Sequence, residues 1–167
     1  MPHGSESGFT LIELMITIAI LAVLTAIAMP NLTSLVRNQR IKTATNEIYA
    51  TLIFARSEAI KRNTTIGICA TGDWAAGWSI KATDCTGTVI KQQDAISGVS
   101  ILRMDGSTAV GDLTFQRDGR LNATPPAGGL VVKAVDDSAT KAHCVTLDVS
   151  GRPHIKTDTD NDSTNGC

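Results

Sequence analysis

The chain opens with an apolar segment that is longer and less polar than any later stretch. Between Phe9 and Met29 it is interrupted by four polar residues, Thr10, Glu13, Thr17 and Thr25. Glu13 is the one charged residue among them. At about 1.5 Å per residue, a helix over 9–29 spans roughly 30 Å, which is the thickness of a bilayer core. A charge in such a segment costs on the order of 3 kcal/mol, so Glu13 is predicted to serve a function.

A second helical pattern follows this segment. Pro30 removes one backbone donor and is predicted to kink or loosen the helix there. Beyond it, apolar or small residues recur every three or four positions, at Ile41, Ala44, Ile48, Leu52, Ala55 and Ala59. This period predicts an amphipathic helix that continues to about Arg62 and packs these side chains on a globular domain.

After residue 64, short β-prone runs alternate with turn signals that contain Gly, Asp or Pro. The runs predict seven strands, over Thr65–Ala70, Gly77–Ala82, Val89–Gln92, Val99–Arg103, Leu113–Gln116, Leu130–Val135 and Cys144–Val149. A long helix followed by antiparallel strands indicates an α+β fold. Trp74 and Trp78 are interpreted as core residues of this domain.

Charge and motifs exclude several classes of function. Lys and Arg number 15 and Asp and Glu number 16, which gives a formal net charge of −1. A chain so balanced has no overall electrostatic attraction for nucleic acid or acidic lipid. The sequence contains no HExxH, no glycine-rich phosphate loop and no GxSxG. We therefore predict neither catalysis nor a cofactor.

The start of the chain carries a specific signature. A short polar leader ends at Gly8 and is followed by Phe9-Thr10-Leu11-Ile12-Glu13 and the apolar run. This order resembles the class III signal of type IV pilins and type II secretion pseudopilins. A secretory signal peptide differs, because its cleavage site follows its apolar stretch. The resemblance implies that prepilin peptidase cuts after Gly8 and N-methylates Phe9. It also implies that Glu13 neutralises the terminal amine of a neighbouring subunit during assembly.

The same resemblance implies a type IV pilin fold with four segments. Residues 1–8 are the cleaved leader, 9–29 the transmembrane and filament-core helix, 30–63 the amphipathic helix half, and 64–167 a periplasmic β-rich head with a disulfide-held tail. Pilin leaders usually carry Lys or Arg, whereas this leader carries neither. The positive-inside rule therefore gives no orientation. Placement in the inner membrane with a periplasmic head follows from the family alone.

The end of the predicted helix narrows the resemblance. Ala55–Asn63, followed by Trp74 and Trp78, is similar to the GspH/FimT (FimT/FimU-like) pseudopilins. This implies a minor pilin or pseudopilin of a Gram-negative type IV pilus, which primes assembly or forms the tip beside major and minor pilin subunits. Two alternatives stay open. One is a DNA-binding pseudopilin for natural transformation, and the other is an H-like minor pseudopilin of a type II secretion system.

Four cysteines suit an oxidising compartment, where disulfides persist. They allow three pairings, and their spacing is unlike that of a zinc site. We favour Cys69–Cys85 and Cys144–Cys167, because each pair closes a short loop. Each bond would contribute about 3 kcal/mol in the chain-entropy model. The second bond would hold the C-terminus on the sheet.

A basic row near the C-terminus is the candidate nucleic-acid contact. If the chain is extended there, Arg152, His154 and Lys156 project on one side and can bind phosphates. The position resembles a Gly-Arg-x-Arg segment linked to DNA binding in FimT-like competence pseudopilins, with His154 in place of the second Arg. The alternative is a strand with a solvated charged face. Arg117 and Arg120 would extend the row, but the sequence does not place them beside it.

The acidic tail is a weak calcium candidate. Asp158, Asp160 and Asp162 alternate as in the first half of a calcium loop. Ser163 stands where such a loop has glycine, and no acidic residue follows. We therefore predict a hydrated acidic tail and no bound metal.

Overall fold

The computed structural model describes residues 8–70, 72–104, 110–122, 129–135 and 140–159, apart from the side chains of 28–31. In these ranges one long helix precedes the strands, which is the predicted α+β order. The elements are α1 Leu11–Arg62, β1 Ile66–Cys69, β2 Trp78–Ala82, β3 Val89–Gln93, β4 Val99–Arg103, β5 Leu113–Phe115, β6 Leu130–Ala134, β7 His143–Leu147 and β8 Pro153–Thr157, with short 3-10 helices at Trp74–Ala76 and Asp84–Thr86.

The chain divides into two compact units between Val36 and Arg37. In the first unit the described side chains are exposed, and most of those on α1 are apolar. Within the described part of the chain, no single helix is long and apolar enough to cross a membrane. One bent pair, Leu11–Ile27 with Leu32–Arg62, meets that requirement by length and composition.

The second unit is organised around the C-terminal half of α1. The predicted buried face is confirmed, since each of its residues is at most 1% exposed: Ile41, Ala44, Ile48, Leu52, Ala55 and Ala59. They share one hydrophobic cluster with strand residues such as Ile68 and Val132. Burying a large aliphatic side chain contributes about 1.5–3 kcal/mol. The helix ends at Arg62, as the spacing predicts.

The strands form two antiparallel sheets. Sheet 1 has the order β3-β2-β1-β5, and sheet 2 has the order β4-β6-β7-β8. Ile68 lies opposite Ile80 and Leu113 in sheet 1. Val132 lies opposite Ile101 in sheet 2. These side chains belong to the same cluster as the helix face, so both sheets pack on α1 through one core.

Strand positions agree with the prediction except at the C-terminus. Seven strands lie within two residues of their predicted ends. The extended conformation on which the basic row depends is present as β8, an edge strand of sheet 2. Pro153 occupies its first position, where a missing N–H is tolerated.

The loop between β2 and β3 folds back over β1 and is bonded to it. Cys69 and Cys85 form a disulfide with their Cα atoms 5.7 Å apart. A Cβ on Gly67 would lie 2.8 Å from the carbonyl carbon of Asp84, so the close approach of this loop requires glycine. Cys144 is buried in β7. Its predicted partner Cys167 lies outside the described residues, and that pairing stays a prediction.

Both tryptophans are core residues, as predicted. Trp74 is 0% exposed and Trp78 is 3% exposed, with their ring centroids 5.4 Å apart. The Trp78 indole N–H donates to the hydroxyl of Thr51 at 3.2 Å. The Trp74 indole N–H donates to the carbonyl of Gly111 at 3.1 Å. The first bond ties β2 to α1, and the second holds the start of the β5 segment.

Candidate functional site

Thr10 and Glu13 cap the N-terminus of α1 through reciprocal hydrogen bonds. The N–H and the hydroxyl of Thr10 both donate to Glu13 Oε2 at 2.9 Å. The Glu13 N–H donates back to Thr10 Oγ1 at 3.3 Å. This capping box satisfies donors that the first helical turn leaves open. This intramolecular role of Glu13 was not predicted, although the Thr-x-x-Glu spacing is its signal in the sequence.

The predicted cleavage site, the peptide bond after Gly8, lies just before α1 begins. A Cβ on Gly8 would meet no heavy atom within 4 Å among the described residues, and Phe9 is 78% exposed. A peptidase would therefore meet little steric obstruction at this bond. Pro30, the other predicted assembly residue, lies within α1, and its side chain is outside the described part.

The edge strand β8 brings two residues of the basic row to one face. His154 lies opposite Thr146, and Lys156 lies opposite Cys144 on β7. Residues directly opposite each other on antiparallel strands share a face. Arg152 precedes the strand by one position, and all three basic side chains are exposed. The row therefore faces solvent at one edge of sheet 2.

Arg152 lies in the tight turn from β7 to β8, beside a carboxylate. Its N–H donates to Asp148 Oδ1 at 2.9 Å, and the Ser150 hydroxyl donates to the same oxygen at 2.6 Å. The Ser150 hydroxyl, followed by the Arg152 N–H, lowers the pKa of Asp148. A negative charge therefore accompanies Arg152 at neutral pH and weakens its attraction for phosphate.

A second basic turn lies against the β7–β8 turn. Turn 116–120 follows β5 and is closed by the Gly119 N–H, which donates to the carbonyl of residue 116 at 2.8 Å. A Cβ on Gly151 would lie 2.4 Å from the carbonyl oxygen of Gly119. Both glycines have positive φ, +80° and +76°. Arg117 and Arg120 are exposed in this turn. They therefore lie beside the turn that contains Arg152, which the sequence alone does not establish.

The end of α1 holds turn 116–120 in place. Arg56 Nε–H donates to the carbonyl of Gly119 at 3.0 Å. Glu58 does not pair with Arg56, as expected for helix residues two positions apart. Its partners are Arg62 and Lys61 on the following turn. The hydrogen bond from Arg62 lowers the pKa of Glu58, although burial opposes the shift.

The acidic tail departs from the prediction at Asp158. This residue is 1% exposed, and its N–H donates to the carbonyl of Ala142 at 3.0 Å. The prediction of a hydrated Asp158 is therefore wrong, because pairing between the two strands continues past β8 and buries the residue. The other two residues of the calcium candidate, Asp160 and Asp162, lie outside the described residues.

A cleft of about 500 Å³ lies on sheet 1 beside the disulfide, and Asp94 and Asp112 are among the residues that line it. The sulfurs of Cys69 and Cys85 and a carboxylate oxygen of Asp112 lie within 4.8 Å of one another. Because the two sulfurs are bonded together, they offer no thiolate to a metal. The cleft is therefore a polar surface feature with carboxylates on its wall.

Two family models match the chain. One is described as type II transport protein GspH and matches residues 44–151. The other is described as a prokaryotic N-terminal methylation motif and matches residues 4–29. The first match covers more than half of the chain and ends just before Arg152, so the basic row lies outside it. No curated protein matches the chain.

Two crystal structures of the type IV minor pilin FimU from Pseudomonas aeruginosa (strain PAO1) share this architecture. One is 22% identical with a TM-score of 0.60, and the match covers 74% of this chain and 96% of that chain. The other is 22% identical with a TM-score of 0.56, over 72% of this chain and 98% of that chain. The likeness shows the type IV pilin fold, a long helix packed on antiparallel sheets. With the GspH match over 44–151, it follows that the chain belongs to the GspH family and is a type IV pilin-like protein.

Proposed function

We propose that this protein is a minor pilin or pseudopilin of a Gram-negative type IV pilus that primes assembly or forms the tip. It would be anchored in the inner membrane with its head in the periplasm and would then join major and minor pilin subunits. Prepilin peptidase would remove residues 1–8 and methylate Phe9. The role is structural, and we assign no catalytic step to the chain.

The observation that carries the proposal is the position of Glu13. It is the one charged residue of an exposed apolar helix end. In the single chain its carboxylate accepts two neutral donors from Thr10. A protonated Phe9 amine from a neighbour would add a charge-assisted hydrogen bond, which is roughly twice as strong as a neutral one.

The pairing would also set the axial position of each subunit. The amine of Phe9 belongs to the main chain, so no side-chain torsion carries it toward its partner. The bond would form when a neighbouring helix brings that amine level with Glu13. Exposed side chains such as Leu14, Ile18 and Leu21 would then replace lipid contacts with close contacts between helices.

The test compares Glu13→Ala with a matched change elsewhere on α1. Glu13→Ala should leave membrane insertion intact while the subunit disappears from sheared filaments. Glu47→Ala removes a carboxylate from the second unit and should leave incorporation unchanged. Normal incorporation of Glu13→Ala would contradict the proposed role of the carboxylate.

A second candidate function is DNA binding for uptake during natural transformation. The exposed row of Arg152, His154 and Lys156 supports it. Contacts from such a row to phosphates would be independent of base sequence and would weaken steeply with salt. Arg152→Ala with Lys156→Ala should abolish binding of duplex DNA to the full chain in detergent. Absence of binding by the unaltered chain at low salt would remove this candidate.

A third candidate is the H-like minor pseudopilin of a type II secretion system. The description of the matching family model, type II transport protein GspH, supports it. Deleting the gene should then block export of secreted enzymes while surface piliation persists. A pilus subunit predicts the reverse, which is normal export with loss of surface pili. Secretion genes beside this gene would favour the secretion candidate, and pilus-tip genes would favour the pilus subunit.

A further inference from the structure

Among the described residues, the two sheets have four edge strands, and three of these edges are protected. β5 is paired on its outer side by its own turn, because the Asn122 N–H donates to the carbonyl of Thr114 at 2.9 Å. β4 is mostly buried, and the 3-10 helix Trp74–Ala76 lies against it. β8 begins at Pro153, which has no N–H to offer to a further strand. Edges that are covered or interrupted in these ways resist the addition of another strand.

β3 is the fourth edge, and the described residues leave it open. Thr88, Lys91 and Gln92 are exposed, and Val89 is 55% exposed. Lysine commonly protects an edge strand. The Lys91 ammonium, however, lies over the Phe54 ring, 5.6 Å from its centroid, so it is directed toward α1. A β-branched residue such as Val89 that stays exposed on an edge favours pairing with a further strand.

The main-chain groups of Val89 point away from β2. The Ala82 N–H donates to the carbonyl of Thr88 at 3.0 Å, so the main chain of Thr88 faces β2. The N–H and C=O groups alternate in direction from one strand residue to the next, which turns those of Val89 outward. The bulge between the two strands lies beyond Val89, where the register shifts at Ile80/Lys81. Val89 therefore offers one donor and one acceptor to an added strand.

The loop that precedes β3 holds this edge in place. Cys85 in the loop is bonded to Cys69 of β1. The Thr114 hydroxyl donates to Asp84 Oδ1 at 3.0 Å, and the Lys81 ammonium donates to the carbonyl of Cys85 at 3.4 Å. These contacts tie both ends of the loop to sheet 1. An edge that is already ordered loses less conformational entropy when a partner binds.

We propose that β3 is a strand-addition site for an extended segment of a different pilin-type subunit. The added strand would pair with β3 through main-chain hydrogen bonds and would place an apolar or β-branched side chain beside Val89. The cleft along β3 is lined by Lys81 as well as by Asp94 and Asp112, so its wall favours neither a cationic nor an anionic segment. The inference rests on the proposed function, because assembly brings another subunit to this edge.

A second copy of this chain does not suit the edge. Symmetric pairing of two β3 strands would be antiparallel, about a two-fold axis perpendicular to the sheet. That axis reverses the direction of the part of α1 that packs on the sheet, whereas subunits anchored in one membrane carry this helix in one direction. A copy that gave a different segment would begin an open series. Such a series does not suit a subunit that primes assembly or forms the tip.

The test places a photoreactive residue at the exposed position Gln92 of the full chain, in cells that assemble filaments. After irradiation, mass spectrometry should map the adduct to an extended segment of a different pilin-type subunit. Val89→Pro removes the outward N–H, keeps the pairing of Thr88 with β2, and should reduce the adduct by about tenfold or more. Val89→Ile is the matched control. It keeps both the N–H and an apolar side chain, so it should leave the adduct unchanged.

Further variants separate this inference from the assembly proposal. Val89→Lys adds a protecting charge to the edge and should also reduce the adduct, which serves if Val89→Pro does not fold. The photoreactive residue at Lys156, on the proline-protected edge β8, should give no adduct with that subunit. Irradiation of whole cells samples chains in the membrane and in filaments alike, so loss of Glu13→Ala from filaments does not decide this test.

Four results would overturn the inference. The first is the absence of an adduct between Gln92 and another subunit. The second is an adduct that survives both Val89→Pro and Val89→Lys, or that is lost equally with Val89→Ile. The third is an adduct that joins two copies of this chain, and the fourth is the same adduct from Lys156.

Discussion

The Arg56 Nε–H donates to the carbonyl oxygen of Gly119 at 3.0 Å, across 63 residues of sequence. The bond joins the last turns of α1 to the turn that follows β5. The same carbonyl oxygen lies 2.4 Å from the position of a Cβ on Gly151. The helix and a turn from each sheet therefore meet at one oxygen, and this junction places Arg117 and Arg120 beside the turn that contains Arg152.

Gly151→Ala should destabilise the fold by about 3 kcal/mol, because an L side chain is strained at positive φ and meets the carbonyl of Gly119. Gly111→Ala is the matched control. Its φ is +72°, but a Cβ there meets nothing within 4 Å among the described residues. We expect it to cost about 1 kcal/mol. Urea unfolding measures both, and equal losses would show that the Gly119–Gly151 contact is not tight.

The hydrogen bond from Trp78 to Thr51 should appear as a coupling energy. Trp78→Phe leaves the buried Thr51 hydroxyl without this donor, and Thr51→Val removes the acceptor. A double-mutant cycle should give a coupling of about 1 kcal/mol between the two positions. Additive losses of unfolding free energy would mean that the bond contributes nothing to stability.

Glu58→Gln should reduce stability at neutral pH and not at acid pH. Arg62 lowers the pKa of Glu58 in the folded chain. The contribution of such a group is present above its unfolded pKa and is lost as pH falls through the folded pKa. The difference between unaltered chain and variant in urea unfolding should therefore shrink as pH falls below about 4. Glu47→Gln is the control, and a difference that persists at low pH would contradict the ion-pair account.

Peptide mapping of the non-reduced chain should give one linked pair from Cys69 and Cys85 and another from Cys144 and Cys167. Replacing Cys69 and Cys85 by serine should lower the unfolding free energy by about 3 kcal/mol, because the bond closes a short loop. A peptide that joins Cys144 to Cys69 or Cys85 would contradict the pairing.

The helix and the strands could be predicted because, in these elements, the local pattern of apolar residues agrees with burial in the folded domain. The steps from Ile41 to Ala59 fix one face of α1, and that face is buried. Strand runs such as Val99–Arg103 combine β-branched residues with flanking turn signals. The capping role of Glu13 could also have been predicted, since Thr10 stands three residues before it.

The contacts between distant turns could not be predicted. Asp118-Gly119 and Ser150-Gly151 each indicate a turn, but no local sequence pattern indicates that the two turns are in contact. Asp158 looks like a solvated tail residue because its neighbours are polar, yet pairing with Ala142 buries it. The division of the strands into two sheets likewise depends on long-range register.

The most direct test of the account is the intact mass and N-terminal fragmentation of the chain purified from membranes of a cell that makes prepilin peptidase. A processed pilin-type subunit should begin at Phe9 and carry one added methyl group on its terminal amine. A chain that retains residues 1–8, or one cut beyond the apolar segment, would contradict its assignment as a processed pilin-type subunit.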